Sequence, residues 1–497
     1  MTTSASAVLV FLAAAVLIIS LRSHRRFRLP PGPKGVPFFG NVFDLPKSQE
    51  WLTYAEWSKQ YGSDIIYLNF VGTPVIVINS AKHATELFGK RSAIYSDRSR
   101  FVMVNELMGW EFDFAFMGYN DRWRELRRMF HKEFNAQAIL KYQLRMTQEV
   151  QAILHRFVER PNDFMDHLRH LAGSIILFVT YGIKPLPKDD PHLKAADNAL
   201  RGLVAATHAG AHLVDFIPAL KYIPSWFPGA GFKRQAAEWC KATMNMRDEP
   251  FAAVKKSMST GSTPVSIVSS LLTEAECVKD RERQEEAIRD MAGTAYSGGA
   301  DTTVSALGTF LLAMVLHPEV QRKAQAEIDR VIGHDRLPTF EDEQDLPYIT
   351  AVMREVLRWR PIAPLGRAIL HDESVFKDPD SFNPDRFLTK EGTLDADSAS
   401  HVDFVFGFAR RACPGRFIGI SSVWLTIATI LTAFDVDAPT DEHGSKIMPS
   451  GEYTSGLAMY PVPFQCTFKP RSAQMETIIS DAAQKEEEFL LDIRGKV

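Results

Sequence analysis

Cysteine is scarce in this chain: Cys240, Cys277, Cys413 and Cys466 are the four among 497 residues, far apart and never in a Cys-x-x-Cys pair. That spacing excludes a disulfide framework and a zinc site, and it fits a reducing compartment. An excess of charge is also missing. The formal net charge is −3, so the balance offers nothing to a polyanion and no nucleic acid is expected as a partner. Internal repeats are absent, which excludes a solenoid or a propeller. Hydrophobic residues make up 45% and charged residues 24%, enough apolar material for a sizeable core and too ordinary a mix for global disorder.

Charge is absent from Ser4 to Leu21 as well, and no Lys or Arg precedes that apolar run. Eighteen helical residues span about 27 Å, close to a thin bilayer. Arg22, Arg25, Arg26 and Arg28 follow at once. Positive charge stays cytosolic, so residues 1–28 read as a single-pass anchor and its basic flank, with the bulk of the chain in the cytosol. A cleaved signal peptide is the rival; the basic leader and the small-residue cleavage pattern it needs are both missing.

Residues 29–47 begin Leu29-Pro30-Pro31-Gly32-Pro33 and read as a stiff linker. Asp64 to Phe70 and Pro74 to Asn79 are β-rich runs around Val71-Gly72-Thr73, a hairpin signal. Beyond Ser80 the pattern is largely helical, and one long helix is expected from Glu285 to Leu316. The fold class is therefore mainly α with a small β-sheet region. The main domain is expected over 48–471, and 472–497 reads as a charged C-terminal tail, loose or forming a short surface helix. Tyr222 to Phe232 carries Tyr222, Trp226, Phe227 and Phe232 among Pro and Gly; it fits a membrane-dipping loop and ordinary loop packing equally well.

The most informative segment is Phe406-Gly407-Phe408-Ala409-Arg410-Arg411-Ala412-Cys413-Pro414-Gly415, just ahead of an apolar helical stretch. A thiol at a helix start is expected to have a lowered pKa and to serve as a thiolate ligand. Arg410 and Arg411 suit acidic groups of a cofactor. These ten residues resemble the haem-binding loop of the cytochrome P450 family, with one departure: Ala409 stands where that family usually has a second Gly.

Further motifs follow in the order that resemblance requires. Trp123 and Arg127 lie four apart on one helix face and by resemblance hold a haem propionate; Arg411 and Gly415 are also expected to bind the cofactor, Gly415 by allowing close approach. Gly298-Gly299-Ala300-Asp301-Thr302-Thr303 lies inside the long helix, where two glycines cost roughly 1 kcal/mol each. In the family the helix passes the haem there, and Asp301 and Thr302 form an acid–alcohol pair that supplies protons. Glu355 and Arg358, three apart, with Arg386 from a later loop, form a buried brace with a structural role. Tyr453 to Pro463 resembles a terminal hairpin, with Ser455, Gly456 and Leu457 reaching the substrate pocket. Phe112, Phe114 and Phe116 fit an aromatic pocket wall or plain core.

The resemblance covers Pro30 to Pro470 and is closest in character to fungal, basidiomycete-type members that oxidise aromatic, polycyclic or terpenoid compounds, including indole 4-hydroxylases. It implies a thiolate-ligated haem b between the long helix and the cysteine loop, with Cys413 as the iron's axial ligand. It also implies NADPH electrons through a partner reductase, with cytochrome b5 as a further partner, and residence in the endoplasmic reticulum membrane. The reductase would dock on Arg127, Arg128, Lys132, Arg410 and Arg416. Five residues separate Leu365 from His371, where family members carry several strands, about two dozen residues. The junction reads as a skipped coding segment, with weaker haem retention expected. Two other classes stay open: an O2-independent haem-thiolate isomerase, and a non-catalytic or truncated haem protein.

Overall fold

The computed structural model describes residues 28–46, 48–207, 212–261 and 263–495; the apolar run and most of its basic flank lie outside them. The described residues form two compact units, one within 28–45 and 52–79, the other within 46–51 and 80–495.

The smaller unit holds the expected hairpin. Strand β1 (Ile65–Phe70) pairs antiparallel with β2 (Thr73–Ile78), Phe70 opposite Thr73. The turn is therefore Val71-Gly72, with φ of 51° and 88°. Two positive φ values match the right-handed twist of the strands, and the Gly72 amide donates to Asn69 Oδ1 at 2.8 Å. Residues of β1 alternate between half-buried and buried, whereas β2 is mostly open, with Ile76 45% exposed.

The larger unit is helical. Its main helices are α1 (Asp121–Phe134), α2 (Phe164–Tyr181), α3 (Pro191–Ala206), α4 (Gly231–Thr260), α5 (Arg281–Leu316), α6 (Pro347–Trp359), α7 (Arg416–Ala433) and α8 (Ala473–Gly495). Local chemistry sets their starts. The Asn120 side chain accepts from the Trp123 amide at 2.8 Å to cap α1, and Asp190 caps α3 ahead of Pro191. The amides of Tyr348 and Ile349 donate to the Glu327 carboxylate, which caps α6 from another helix.

Helix α5 begins one turn before the expected Glu285 and runs through the core, packed along α2. It and α7 are long and apolar enough to cross a membrane, but both are mostly buried within the domain, as core helices are. A second antiparallel pair, β3 (Phe434–Asp437) and β4 (Thr467–Pro470), follows α7.

Three segments differ from expectation. The C-terminal segment is not loose: α8 runs 23 residues, buries Met475 and Ile479, and sets Glu486 3.7 Å from both Arg156 and Lys184. The terminal hairpin is reduced to an isolated bridge between Tyr453 and Pro461. At the short junction, Pro364–Gly366 and Arg367–Leu370 form single helical turns, and no strand lies between 359 and 434 among the described residues. In the loop after α3, Tyr222 and Trp226 are more than three-quarters exposed, while Phe232 turns inward onto the core.

Candidate functional site: a cavity between the long helix and the cysteine loop

A cavity of about 320 Å³ lies between α1, α2, α5, α7 and the cysteine loop. Cys413 opens onto it. The loop is closed by the Cys413 amide donating to the Phe406 carbonyl at 2.6 Å, and Arg127 Nη2 donates to the Ala412 carbonyl at 2.5 Å. The expected lowered thiol pKa is not what the site gives. Burial pushes the Cys413 thiol up, and the Gly415 amide, Arg127 and Arg416 only partly oppose this. The sulfur is exposed to the cavity, but the protein mass around that cavity outweighs the helix dipole. A metal that binds the thiolate would supply the missing charge.

On the opposite wall, Gly298 and Thr302 face the cavity, one helical turn apart on α5, and Thr302 Oγ1 donates to the Gly298 carbonyl at 2.8 Å. The two adjacent glycines have different tasks. A Cβ on Gly298 would meet nothing within 4 Å, so its absence opens the cavity, whereas one on Gly299 would lie 2.7 Å from Ile176 Cγ1, so its absence lets α5 approach α2. Gly419 on α7 mirrors Gly298, with nothing within 4 Å of its ideal Cβ.

The structure separates Asp301 from Thr302. Asp301 lines a second, charged cavity bounded by α2 and α3, together with Arg169, Asp197 and Tyr460. Adjacent residues on a helix do not face each other. Burial raises the Asp301 pKa, partly offset by the Tyr460 hydroxyl.

The expected propionate donors are also sorted by the geometry. Trp123 Nε1 is committed to the Phe114 carbonyl at 3.1 Å. Arg411 spends three of its five N–H groups, one from each nitrogen, on the carbonyls of Ser96, Phe114 and Met117, and its guanidinium stacks on Trp123 at 4.5 Å. Burial brings the Arg411 pKa down to about 10. Arg127 keeps donors unspent. So does Arg98, which the sequence reading missed: it lines the cavity and uses only its Nε, on the Ala115 carbonyl at 3.1 Å. No periodic pattern marks Arg98, because it sits on an irregular loop. Of the three phenylalanines only Phe114 lines the cavity, and Ser455, Gly456 and Leu457 do not.

The brace residues meet away from the cavity. Glu355 and Arg358 are both fully buried, with Nε–Oε2 at 2.6 Å, and Arg386 Nε reaches Glu355 Oε1 at 3.2 Å. Arg358 Nη1 also donates to the Leu370 carbonyl at 3.0 Å, which ties the short junction to α6.

Ala409 adopts φ of 44°, the left-handed region where a Cβ costs about 1–2 kcal/mol. The missing Gly therefore carries a penalty. Ala409→Gly should raise stability by about 1 kcal/mol, checked by urea denaturation.

A sulfur facing open glycine walls, with arginines that form no ion pair among the described residues, fits a flat, dianionic, metal-centred cofactor. The site is thus that of a haem-thiolate protein. The Cytochrome P450 family model matches residues 30–369 and 366–468. The chain is 42% identical to cytochrome P450 monooxygenase 98 of Postia placenta, over 94% of this chain and 95% of the relative. It is 40% identical to cytochrome P450 monooxygenase ple1 of Rhodocybe pseudopiperita, over 93% of each. It is 39% identical to tryptamine 4-monooxygenase of Psilocybe cyanescens, over 94% and 98%. The chain belongs to the cytochrome P450 family and is a monooxygenase, an oxidoreductase.

Proposed function

We propose that this monooxygenase is held in the endoplasmic reticulum membrane by residues 1–28, draws NADPH electrons through a partner reductase, and hydroxylates a small apolar compound of aromatic, polycyclic or terpenoid type. Cytochrome b5 is a second donor. The observation that carries the reading is Cys413 facing the Gly298 and Thr302 wall across one cavity. Phe114, Phe130 and Phe134 line it and favour an aromatic substrate, as does the name of the Psilocybe relative.

A haem bound through Cys413 supplies the dioxygen chemistry. The chain's own residues do the rest. Arg98 and Arg127 hold the carboxylates. Thr302 presents a hydroxyl whose proton is on the Gly298 carbonyl, so its lone pairs accept from the cavity side. Asp301 gathers protons from the charged cavity behind α5. Among the cations suited to a reductase, Lys132 is paired with Glu274 at 3.0 Å, which leaves Arg128, Arg410 and Arg416 as the docking face. Exposed Tyr222 and Trp226 fit a lipid surface.

A second reading, a truncated haem protein, is favoured by one observation: the family match falls in two pieces that meet at 366–369, at the short junction. Purified full-length protein with reductase and NADPH decides. A thiolate-type ferrous–CO band with oxygen uptake is expected. A thiolate band without oxygen uptake would favour an isomerase, and no bound haem would favour truncation.

A further inference from the structure

We propose that Asp113 is the substrate's polar anchor in this cavity, and that the substrate is a small aromatic compound carrying a protonated amine. This rests on the monooxygenase reading above and names the substrate class of the same site. Asp113 lies between Phe112 and Phe114, is 3% exposed and lines the cavity together with Cys413 and Gly298.

Its carboxylate is poorly supplied with protons. The Ala115 amide donates to Oδ1 at 2.8 Å and is committed. Ser297 Oγ lies 2.8 Å from Oδ2 but also 3.0 Å from the Thr294 carbonyl. The Thr294 hydroxyl, which also faces Asp113, lies 3.0 Å from the Asp290 carbonyl. Each hydroxyl has one proton, so each can serve one acceptor at a time.

No cation compensates. Asp113 forms no ion pair among the described residues, and the arginines that line the cavity, Arg98, Arg127 and Arg411, donate to the backbone carbonyls of Ala115, Ala412, Ser96, Phe114 and Met117. Burial pushes the Asp113 pKa up to about 6, and a cation beside it would draw the carboxyl back to its charged form. A buried carboxylate facing an apolar cavity with neutral donors only is costly. An ammonium group supplies both the charge and the missing protons. Phe114 and Phe130, edge to face at 5.4 Å, and Phe134 stacked on Phe130 at 4.2 Å offer the ring surface for the rest of the molecule. The bland alternative is that Asp113 only pins its loop to α5; such a pin has no reason to discriminate between amines and hydrocarbons.

The test is calorimetric titration of the full-length holoprotein with N,N-dimethyl-2-phenylethylamine, whose tertiary nitrogen is a crowded ligand for iron, and with isopentylbenzene, its neutral isostere. Wild type is expected to bind the amine at least tenfold more tightly. Asp113→Asn should abolish that preference and leave the hydrocarbon affinity within twofold. Should that variant not fold, Ser297→Ala, which removes a competing donor, is expected to sharpen the preference. A wild type that binds the amine no more tightly than the hydrocarbon, including not at all, overturns the proposal, as does Asp113→Asn retaining the preference or Ser297→Ala reducing it. The ferrous–CO band is read on the same samples: its absence sinks the haem reading, whereas a normal band with no amine preference sinks only the role of Asp113.

Discussion

Cys413→Ala will yield protein without thiolate-ligated haem, with no thiolate-type ferrous–CO band and product formation at background. The cavity offers no substitute ligand. Among its lining residues there is no His, Met, Tyr or second Cys, and these are the side chains that hold haem iron elsewhere. The other three cysteines lie outside the lining; burial pushes the thiols of Cys240 and Cys466 up, and Cys277 is exposed. The fold itself should survive the substitution. The loop is held by backbone atoms of Cys413 and Ala412, through the Phe406 carbonyl and Arg127, and none of these contacts uses the sulfur. The haem-free forms of wild type and variant should therefore melt within a few degrees of each other, while their haem content after reconstitution differs completely. Haem retained with an unchanged thiolate band would show that the sulfur is not the ligand.

Much of this site was legible because its parts are local. The cysteine loop is ten consecutive residues, and Glu355 with Arg358 obeys a spacing that helical geometry turns into contact. The same geometry shows that the acid and the alcohol of the expected pair do not face one cavity. Asp301 and Thr302 are neighbours in sequence, and on a helix that sends them to different cavities. Gly298 and Gly299 look equivalent in the sequence; only the position of Ile176, more than a hundred residues earlier, distinguishes a cavity wall from a packing contact. Arg98 was missed because it sits on an irregular loop, and Asp113 because the Ser297 hydroxyl that it meets comes from a distant segment. The signal for Asp113 was weak, since it is one of two acids, with Glu111, that alternate with aromatics in Trp110-Glu111-Phe112-Asp113-Phe114. A signal for α8 existed too. Met475 and Ile479 are four apart, the spacing of one buried helix face, and the surrounding charges hid it.

Glu355→Gln is expected to lower the stability of the helical unit by about 3–5 kcal/mol, the range for breaking a buried ion pair by removing one partner. The carboxylate serves four donors: Arg358 through Nε at 2.6 Å and Nη2 at 2.8 Å, the Asn383 amide at 2.8 Å and Arg386 Nε at 3.2 Å. Glutamine keeps the shape but removes the charge and turns an acceptor into a donor aimed at guanidinium groups. Arg358 is fully buried and cannot move to water, so its charge is left uncompensated. Whole domains are stable by about 5–15 kcal/mol, so the loss takes a large share of the total. Here the effect should fall at the upper end of that range. Arg358 also holds the Leu370 and Ser381 carbonyls, so the short junction and the Arg386 loop depend on the same guanidinium. Arg386→Ala should cost less, because Glu355 keeps Arg358 and only one side of the brace is lost. Urea denaturation of the two variants beside wild type measures the order. If Glu355→Gln were no more harmful than Arg386→Ala, the carboxylate would not be the centre of the brace, and the junction would have to be held by Arg367 and Asp380, paired at 2.6 Å on its exposed side.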